Sequence, residues 1–443
     1  GYDFTHDMVR EVAYQRLSAP RRRLIHSRIA RILDQADDSD HELAGEVAHH
    51  AALGDESELA ARASLAAARR ALWAFAPEEA AQLVARGVHH LDRLRPEARL
   101  ALHLELLGLS VYPGMKEHRP PDIERQLSRV IDEARAAGLH AQVQRGFQLI
   151  ADIHFFDGDF GGALEQSLRS QEAGRSADLT TVVRAIGDTA RCLGIIEQDM
   201  PRAEKLAHEA EVLAGGMGYG GHELPQALGY VHHHRGELEE AIASFERAAS
   251  RARSEHARWF ECACLSRLAM IELERWQPHD ALARCRELLA VTSKLDEGSD
   301  APFARALEAV ARLQLGELEA AYQLDRALAE LREADSHWMI AYVQNLASEV
   351  DIASARGDAA RARAVEALEA ATVAERCNEI TVAHALLARL ALHAEDREGA
   401  ITHLEALQKE PTRAVTPSAR ARGAVGSALR AYEACMSRGG SPL

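Results

Sequence analysis

A six-residue phrase recurs along this chain and always ends on an alanine. It joins a small or acidic turn to the start of an amphipathic segment, as in Gly236-Glu-Leu-Glu-Glu-Ala241 and Gly316-Glu-Leu-Glu-Ala-Ala321. The alanines that we align as anchors are Ala163, Ala203, Ala241, Ala281, Ala321, Ala362 and Ala400. Their separations, by subtraction, are 40, 38, 40, 40, 41 and 38 residues. A fixed period of this length is the signature of a repeat architecture, so the rhythm constrains the fold more than any other feature.

Each period predicts two helices joined by a short turn. In the copy at 222–254, Gly236 falls at the turn, where a residue without Cβ can take a positive φ. The second segment then carries an i, i+3, i+4, i+7 apolar stripe. The stripe consists of Leu238, Ala241, Ile242, Phe245 and Ala248, and the first segment offers Leu228, Gly229 and Val231 to its neighbour. An isolated pair cannot bury such a stripe, whereas stacked pairs can.

The period extends back to an earlier phrase that ends at Ala80, with one anchor missing near Ile123. We therefore predict about nine helix pairs between residues 57 and 411, forming an all-α, right-handed superhelical solenoid. A final helix at about 416–436 would cover the end of the stack. Composition agrees, because aromatic residues make up only 5% of the chain and Ala and Leu, which favour helices, supply most of its apolar surface.

The charge of the chain argues against some classes of partner. The net charge is −16, which disfavours binding to nucleic acid or to an anionic membrane surface. Residues 1–35 are an exception, because seven Arg against four acids give a local +3 and leave −19 elsewhere. The run Arg21, Arg22 and Arg23 is interpreted either as a phosphate-contacting patch or, preferably, as a solvated helix start beside another domain. We expect no contact with nucleic acid or membrane.

The six cysteines have no spacing typical of a disulfide framework, so they are interpreted as reduced, buried thiols of a cytoplasmic protein. No apolar run reaches the length of a membrane span, and no signal peptide is present. The first residues resemble the middle of a domain, which predicts that the chain is a piece of a longer protein.

The repeat phrase resembles the tetratricopeptide repeat through Leu228-Gly229, Gly236, Leu238, Ala241 and Phe245. That repeat has a period of 34 residues, and the longer period of this chain is similar to the MalT-like superhelical subclass of bacterial regulators. The amino-terminal stretches Phe4–Tyr14 and Ser18–Leu33 resemble the end of the winged-helix segment of bacterial signal-transduction ATPases. Glu42–His50 is similar to the linker helix of that family. The resemblance implies three regions, namely a winged-helix end and linker at 1–54, repeats at 55–412, and a capping helix and tail at 413–443.

The family resemblance implies an effector, an ATPase switch of the STAND type and a repeat sensor. A phosphate loop requires Gly-Lys followed by Ser or Thr, and none of the four lysines here follows a glycine. A carboxy-terminal LuxR-type helix-turn-helix is also missing. The resemblance therefore implies an upstream ATPase. If Leu443 is the true end of the protein, it also implies an upstream effector, which could be a transcriptional activator domain, a protein kinase or a nucleotide cyclase.

No catalytic or metal site is predicted. His232, His233 and His234 point about 100° apart on a helix and cannot converge on one ion. Cys262 and Cys264 lack the spacing of zinc or redox pairs. We found no nucleophile elbow and predict no cofactor. The chain is therefore interpreted as a non-enzyme.

Binding is the preferred hypothesis, because the first helices of such repeats line a concave face. The inward positions in the repeat frame, which are the candidate binding residues, are Arg145, Gln148, Asp152, Phe155, Glu223, Gln226, Tyr230, His233, Met270, Asp351 and Arg389. Several of them have the alternative interpretation of packing residues. The glycine-rich loop 215–221 is either a mobile gate or a simple connector.

These features lead to a sensor and protein-interaction module that binds a small-molecule inducer or a protein partner and controls an upstream ATPase switch. The alternative is a scaffold that binds peptides or proteins and takes no small-molecule ligand. An enzyme on a helical scaffold is a third hypothesis, and no motif supports it.

Overall fold

The computed structural model describes residues 12, 14–37, 41–74, 76–255, 257–292, 298–408 and 416–438. All regular secondary structure in these ranges is helical, and the helices form nine consecutive pairs between residues 57 and 406. The predicted all-α solenoid of about nine helix pairs is therefore confirmed. The stretch Phe4–Tyr14, apart from Val12 and Tyr14, lies outside the described residues, as does the predicted boundary at 412.

The chain forms two compact units, which divide between Thr181 and Val182. In the first unit, two helices precede three pairs, and short 3-10 turns at Leu91–Arg93 and Pro113–His118 interrupt the connections. The second 3-10 turn occupies the longer loop predicted before Ile123. The helices are α1 (Ala19–Ala36), α2 (Ala44–Leu53), α3 (Ser57–Trp73), α4 (Pro77–His89), α5 (Pro96–Val111), α6 (Ile123–Ala136), α7 (His140–Phe156) and α8 (Phe160–Gly174).

The second unit contains six helix pairs and a last helix. Its first helix, α9 (Leu179–Ile196), begins three residues before the division between the units. The others are α10 (Met200–Ala214), α11 (Glu223–Arg235), α12 (Leu238–Ser254), α13 (Arg258–Glu274), α14 (Pro278–Thr292), α15 (Asp300–Gln314), α16 (Ala320–Glu333), α17 (His337–Ala353), α18 (Gly357–Val373), α19 (Cys377–His393), α20 (Arg397–Ala406) and α21 (Ala419–Arg438). The predicted last helix corresponds to α21. None of the described helices is long and apolar enough to cross a bilayer. The sequence-based limits at 54 and 412 separate the linker, the repeats and the capping helix, whereas the division at 181 separates two compact units. The limits at 54 and 412 therefore stay predictions.

The turns between paired helices explain the recurring phrase. Its first residue takes a left-handed conformation in several copies, with φ of 82° at Gly158, 88° at Gly236 and 86° at Gly316. This conformation is least costly for glycine. The predicted turn at Gly236 is therefore confirmed, and Trp276 and Glu395 take the same conformation in the degenerate copies.

One anchor was wrongly aligned. Ala362 is exposed, whereas Ala360 is completely buried at the start of α18. The left-handed residue of this copy is Ala355, with φ of 57°, and the fifth residue after it is Ala360. The glycine at 357 misled the alignment, because here the turn uses an alanine and the glycine begins the helix.

Each unit is held together by apolar contacts between successive helices. In the first unit one cluster gathers around Leu106 and Leu83, and another around Leu127 and Leu149. In the second unit the largest cluster surrounds Leu307 and spans α13 to α19. Phe245 of the predicted stripe is completely buried, and its ring lies against the edge of Tyr230, with centroids 5.2 Å apart.

Within the second unit, helices far apart in sequence meet. The guanidinium of Arg376, just before α19, donates to the carbonyl of Ile195 at 2.6 Å, and Asn378 Nδ2 donates to Glu197 Oε2 at 2.6 Å. Asn378 Oδ1 accepts from the amide of Ser418 at 2.9 Å. We call Ile195, Glu197, Arg376, Asn378 and Ser418 the closure seam. Through it, the last helices of this unit contact the first.

Candidate ligand-binding site

The first helices of several pairs in the second unit are buried on almost every side. Each of α13, α17 and α19 has 17 residues, of which 12 are buried. An apolar stripe on a surface helix covers much less than that. Polar residues on these helices must therefore lie inside the unit, where they require hydrogen-bonding or ionic partners.

These inner helices surround a polar space that we call the central cavity. Its lining comes from the ends of α9 and α10, from α11, α13, α17, α19 and α21, and from the turns before α19 and α21. The lining residues are Gly194, Glu197, Met200, Tyr230, His233, His234, Arg267, Met270, Glu274, Trp338, Tyr342, Arg376, Asn378, Glu379, Ser418 and Arg420.

The cavity is narrow. The unfilled space is about 630 Å³ when open solvent is included, but the centres of water-sized atoms can occupy only about 50 Å³ of it. Since a single water requires roughly 10–15 Å³ by that measure, the free space holds a few waters or one small polar group. An entire metabolite does not fit without movement of the surrounding helices.

Glu274 is the centre of one hydrogen-bonded group in the cavity. Its carboxylate contacts His233 Nε2 at 2.9 Å and accepts from the hydroxyl of Tyr342 at 2.8 Å. Burial alone would raise the pKa of Glu274, but His233 and the cation of Arg420 outweigh it and hold the pKa at about 2. Glu274 is therefore ionised and fully engaged.

Arg420 forms the second group and has two carboxylate partners. Its guanidinium lies 2.9 Å from Glu379 and 3.3 Å from Glu349, and it also lies over the ring of Tyr342. Asn345 Nδ2 donates to Glu379 Oε2 at 2.8 Å. Burial raises the pKa of Glu349, which Arg420 opposes. The charge of Arg420 is thus neutralised inside the unit.

Arg267 and Arg376 form a third group, built on Trp338. The guanidinium carbons lie 5.8 and 5.7 Å from the centre of the Trp338 ring, and Arg267 also lies 5.0 Å from the centre of the Tyr230 ring. Arg267 is 9% exposed and Arg376 is 7% exposed. Cation–π contacts of this kind partly compensate for the desolvation of the charge.

Three predicted binding residues lie together in the cavity, namely Tyr230, His233 and Met270. Glu223 and Gln226 lie on the same helix as Tyr230 but do not line the cavity. Glu223 accepts from the hydroxyl of Tyr219 at 2.6 Å. Gln226 is completely buried, and neither of its amide atoms has a hydrogen-bond partner in the described part of the chain.

Two further candidates of the second unit lie elsewhere. Asp351 is buried in ion pairs with Arg356 and Arg363, which bind it to α18. Arg389 is half-buried on α19, outside the residues that line the cavity. Neither residue lines the cavity, because the repeat frame does not distinguish an inner surface from the contact between paired helices.

The remaining candidates belong to the first unit, on α7. Gln148 is buried and donates to Asp152 Oδ1 at 3.0 Å, while Arg145 and Asp152 are half-buried. The ring of Phe155 lies edge-on to Phe156 and Phe160, with centroids 5.7 Å apart in both pairs. These four residues share one helix of the first unit, whereas the cavity is lined by residues of the second unit.

Two hydrogen bonds hold the carboxy-terminal part of the glycine-rich loop 215–221 in place. Tyr219 is buried and bonded to Glu223, and Arg251 donates to the carbonyl of Gly221 at 2.8 Å. These contacts favour the connector over the mobile gate.

The histidine run diverges, as helix geometry requires. His232 contacts Glu237, His233 contacts Glu274, and His234 points its Nε2 into a buried position without a partner among the described residues. In those residues no group of three or more His, Cys, Asp or Glu side chains could hold a metal ion. Four cysteines are buried, and burial raises the pKa of the Cys285 thiol to about 12. Cys377 and Cys435 are only half-buried, so the prediction of six buried thiols was wrong for these two.

The comparisons with known proteins identify the fold. No protein-family model matches the chain, and no curated protein matches it in sequence. Solved structures do resemble it. A Rap protein in complex with Competence and Sporulation Factor is 13% identical, with a TM-score of 0.52 over 79% of this chain and 97% of that chain.

Two other structures are more distant. A signal-transduction ATPase with a tetratricopeptide repeat sensor from Pyrococcus horikoshii is 14% identical, with a TM-score of 0.45 over 75% of this chain and 54% of that one. Aspartyl phosphate phosphatase F from Bacillus subtilis is 15% identical, with a TM-score of 0.43 over 79% and 93%. The chain has a tetratricopeptide-repeat-like α-solenoid fold. At these identities the likeness is one of fold alone.

Proposed function

We propose that this chain is a sensor and protein-interaction module of a larger bacterial regulatory protein, and that it binds its ligand at the central cavity of the second unit. The observation that carries this proposal is the polar lining of the cavity, which brings polar side chains, several of them charged, from α11, α13, α17, α19 and α21 to one small space. Convergent polar groups in a concave site are the usual basis of ligand recognition.

Binding suits the cavity better than catalysis. The acidic groups at its centre are committed, since Glu274 is held by His233 and Tyr342 and Glu379 by Arg420 and Asn345. General acid–base catalysis requires a group that exchanges protons near neutral pH, and the low pKa of Glu274 does not suit that role. We therefore propose that the chain has no enzymatic activity of its own.

The closure seam offers a route from binding to regulation. Arg376 and Asn378 line the cavity and also contact α9 and the segment before α21. A ligand that contacts Arg376 would bind the closed and opened forms of the seam with different affinities. Only such a difference in affinity can shift a conformational equilibrium. We propose that this shift controls an upstream ATPase switch in a MalT-like cytoplasmic regulator.

The second candidate function is a scaffold for peptides or proteins, without a small-molecule ligand. The size of the cavity favours it, because pockets that enclose metabolites measure roughly 300–1,000 Å³. Only part of a ligand can enter the space between these side chains. The Rap structure is a complex with Competence and Sporulation Factor, so the binding test should include peptides as well as metabolites.

The test uses the full chain and a substitution that fills the cavity. His234→Trp adds a larger side chain to the lining, at a ring nitrogen that has no hydrogen-bond partner among the described residues. His279→Trp on the exposed surface of α14 is the matched control. Thermal unfolding with metabolite and peptide libraries should yield compounds that raise the Tm of the wild type and of His279→Trp but not of His234→Trp.

Equal stabilisation of both variants would place binding outside the cavity and contradict the proposal. Hits confined to peptides would favour the scaffold over the sensor of small molecules. The regulatory part has its own test, because the coding sequence upstream should contain a nucleotide-binding region with a phosphate loop. A different upstream region would remove the ATPase switch from the proposal.

A further inference from the structure

Two buried arginines of the central cavity face the same tryptophan ring. The side chains of Arg267 and Arg376 lie against Trp338, and both are more than nine-tenths buried. From this geometry we infer that Arg267 and Arg376 form a carboxylate-binding subsite, which receives the acidic end of a ligand against Trp338. The inference rests on the proposed function and names the chemistry that the cavity recognises.

The neighbouring Arg420 is a cation of the same cavity whose charge is neutralised, and it provides a comparison for Arg267. It has Glu379 and Glu349 as ion-pair partners. Arg267 has no carboxylate within ion-pair distance among the described residues, and its contacts are the rings of Tyr230 and Trp338 and a hydrogen bond with Tyr230. A buried charge with only neutral partners leaves a favourable position for an anion.

The carboxylates that line the cavity already have other partners. Glu274 binds His233 and Tyr342, and Glu379 binds Arg420. Glu197 accepts from Asn378 at 2.6 Å. Its charge also acts on both arginines, so it would compete with a ligand carboxylate.

The electrostatic environment of Arg376 supports an anion. Burial lowers the pKa of Arg376, Glu197 opposes that effect, and the positive charge of Arg267 lowers the pKa further. A ligand carboxylate between the two guanidinium groups would relieve their repulsion. Planar guanidinium groups also match the two oxygens of a carboxylate, with which they form strong charge-assisted hydrogen bonds.

The cavity volume and the total charge limit what the ligand can be. About 50 Å³ accommodates a carboxylate group, whereas the rest of the ligand must remain outside or displace side chains. The net charge of −16 repels polyanions over long distances. The subsite therefore suits a compound or peptide with a single acidic end, held by short-range contacts that salt screens only weakly.

The test uses the full chain with 5-fluorotryptophan at its four tryptophans and follows the fluorine NMR signals. Trp338→Phe assigns the signal of Trp338. Succinate is the probe, and the neutral succinamide is its matched control at constant ionic strength. Succinate should shift the Trp338 signal saturably, and succinamide should leave it unchanged.

Three variants then assign the binding to the subsite. Arg267→Gln removes one cation and should weaken succinate binding at least about tenfold, since charge-assisted hydrogen bonds are lost. Glu197→Gln removes the competing charge while keeping an acceptor for Asn378, and should strengthen binding a few-fold. Arg389→Gln, outside the cavity, should leave the affinity unchanged.

The source of the carboxylate is resolved with tetra-alanine peptides. Tighter binding of the free-acid peptide than of the carboxy-amidated peptide, with a shift of Trp338, identifies a peptide end as the ligand group. Succinate binding without peptide binding identifies a small acid. Both outcomes support the subsite.

Equal binding of succinate and succinamide, or an affinity that neither Arg267→Gln nor Glu197→Gln changes, would overturn the inference. If Arg267→Gln does not fold, the affinity of Glu197→Gln for succinate and the comparison of succinate with succinamide test the inference without it. The proposed function would survive such a failure if library compounds that depend on His234 still bound, because those compounds would then use the cavity without the arginine pair.

Discussion

The inner helices of the two units carry similar repeats but different polar chemistry. In the first unit the buried polar groups of α7 are neutral amides with partners nearby, such as Gln148 with Asp152 four residues away. In the second unit several of the buried groups that line the cavity are charged, and Arg420 has partners that are remote in sequence, such as Glu349, 71 residues away. The contrast indicates that one helix pair of the first unit satisfies its amides locally, whereas the charge of Arg420 is satisfied only by residues of other repeats.

The largest effect should come from breaking the ionic group of the second unit. Arg420→Met keeps an unbranched, flexible stem but leaves Glu379 and Glu349 without their cation. Removal of one partner from a buried ion pair typically costs about 3–5 kcal/mol. Hydrogen–deuterium exchange should therefore show faster exchange in α17, α19 and α21 than in the wild type.

Gln144→Leu provides the matched change in the first unit. Gln144 Nε2 donates to Ser170 at 2.9 Å, and this neutral hydrogen bond contributes only about 1 kcal/mol. Similar small losses of stability in Arg420→Met and Gln144→Leu would contradict this contrast between the units. They would mean that the stability of the second unit does not depend on its buried charges.

A histidine pair in each unit should make stability depend on pH. His384 Nδ1 lies 3.1 Å from His403 Nδ1, and His26 Nδ1 lies 2.8 Å from His50 Nδ1. Such a contact requires one nitrogen to donate and the other to accept, so the doubly protonated pair is excluded. Burial, and then the charge of His403, lowers the pKa of His384 to about 4, and burial first of all lowers the pKa of His26 and of His50.

Because the pKa of His384 is lower in the folded chain than in the unfolded chain, its contribution to stability is complete above pH of about 6.5. That contribution falls as the pH approaches 4, and because solvent screens the partly exposed ring we expect a loss of about 1–2 kcal/mol. Urea unfolding between pH 7.5 and 4.5 should show a shallower decline for His384→Gln than for the wild type. His279→Gln, on the surface, should follow the wild type, and a parallel decline in His384→Gln would refute the assignment.

The smallest expected effect on stability comes from replacing one glycine in each unit by alanine. A Cβ at Gly229 in α11 would lie 2.8–2.9 Å from three ring atoms of Phe245, whereas a Cβ at Gly108 in α5 would lie 3.4 Å from the nearest atom of Leu149. Gly229→Ala should destabilise the second unit by about 1–3 kcal/mol, as overpacking does. Gly108→Ala should leave the first unit unchanged or stabilise it by up to about 1 kcal/mol, because alanine favours the helix. Thermal unfolding measures both, and an equal response would mean that Phe245 moves without cost.

The sequence predicted the fold well because its strongest signals are local. The alanine anchors, the turn glycines and the stripe around Phe245 each depend on residues within one helix pair, so periodicity reveals them. The misplaced anchor at Ala362 shows the limit, since a left-handed alanine at 355 carries no signal of its own.

The cavity was only partly predicted, for a physical reason. Tyr230, His233 and Met270 follow the repeat frame, whereas Arg376 lies in a turn and Arg420 lies in the helix interpreted as a cap. Their roles depend on the closure seam, which joins residues about 180 positions apart and leaves no periodic trace. Arg267 could have been found, because it is a cation directly before the apolar run Leu268 to Ile271 in a helix that is otherwise largely apolar there.

The seam also has a consequence for synthesis. Ile195 and Glu197 leave the ribosome well over a hundred residues before Arg376 and Asn378. The hydrogen bonds of the seam therefore cannot form until the carboxy-terminal residues have been synthesised. Contacts of such long sequence separation form late and slowly. During that interval the cations that will line the cavity remain hydrated, and the ligand binding that we propose requires that the last helix has already docked.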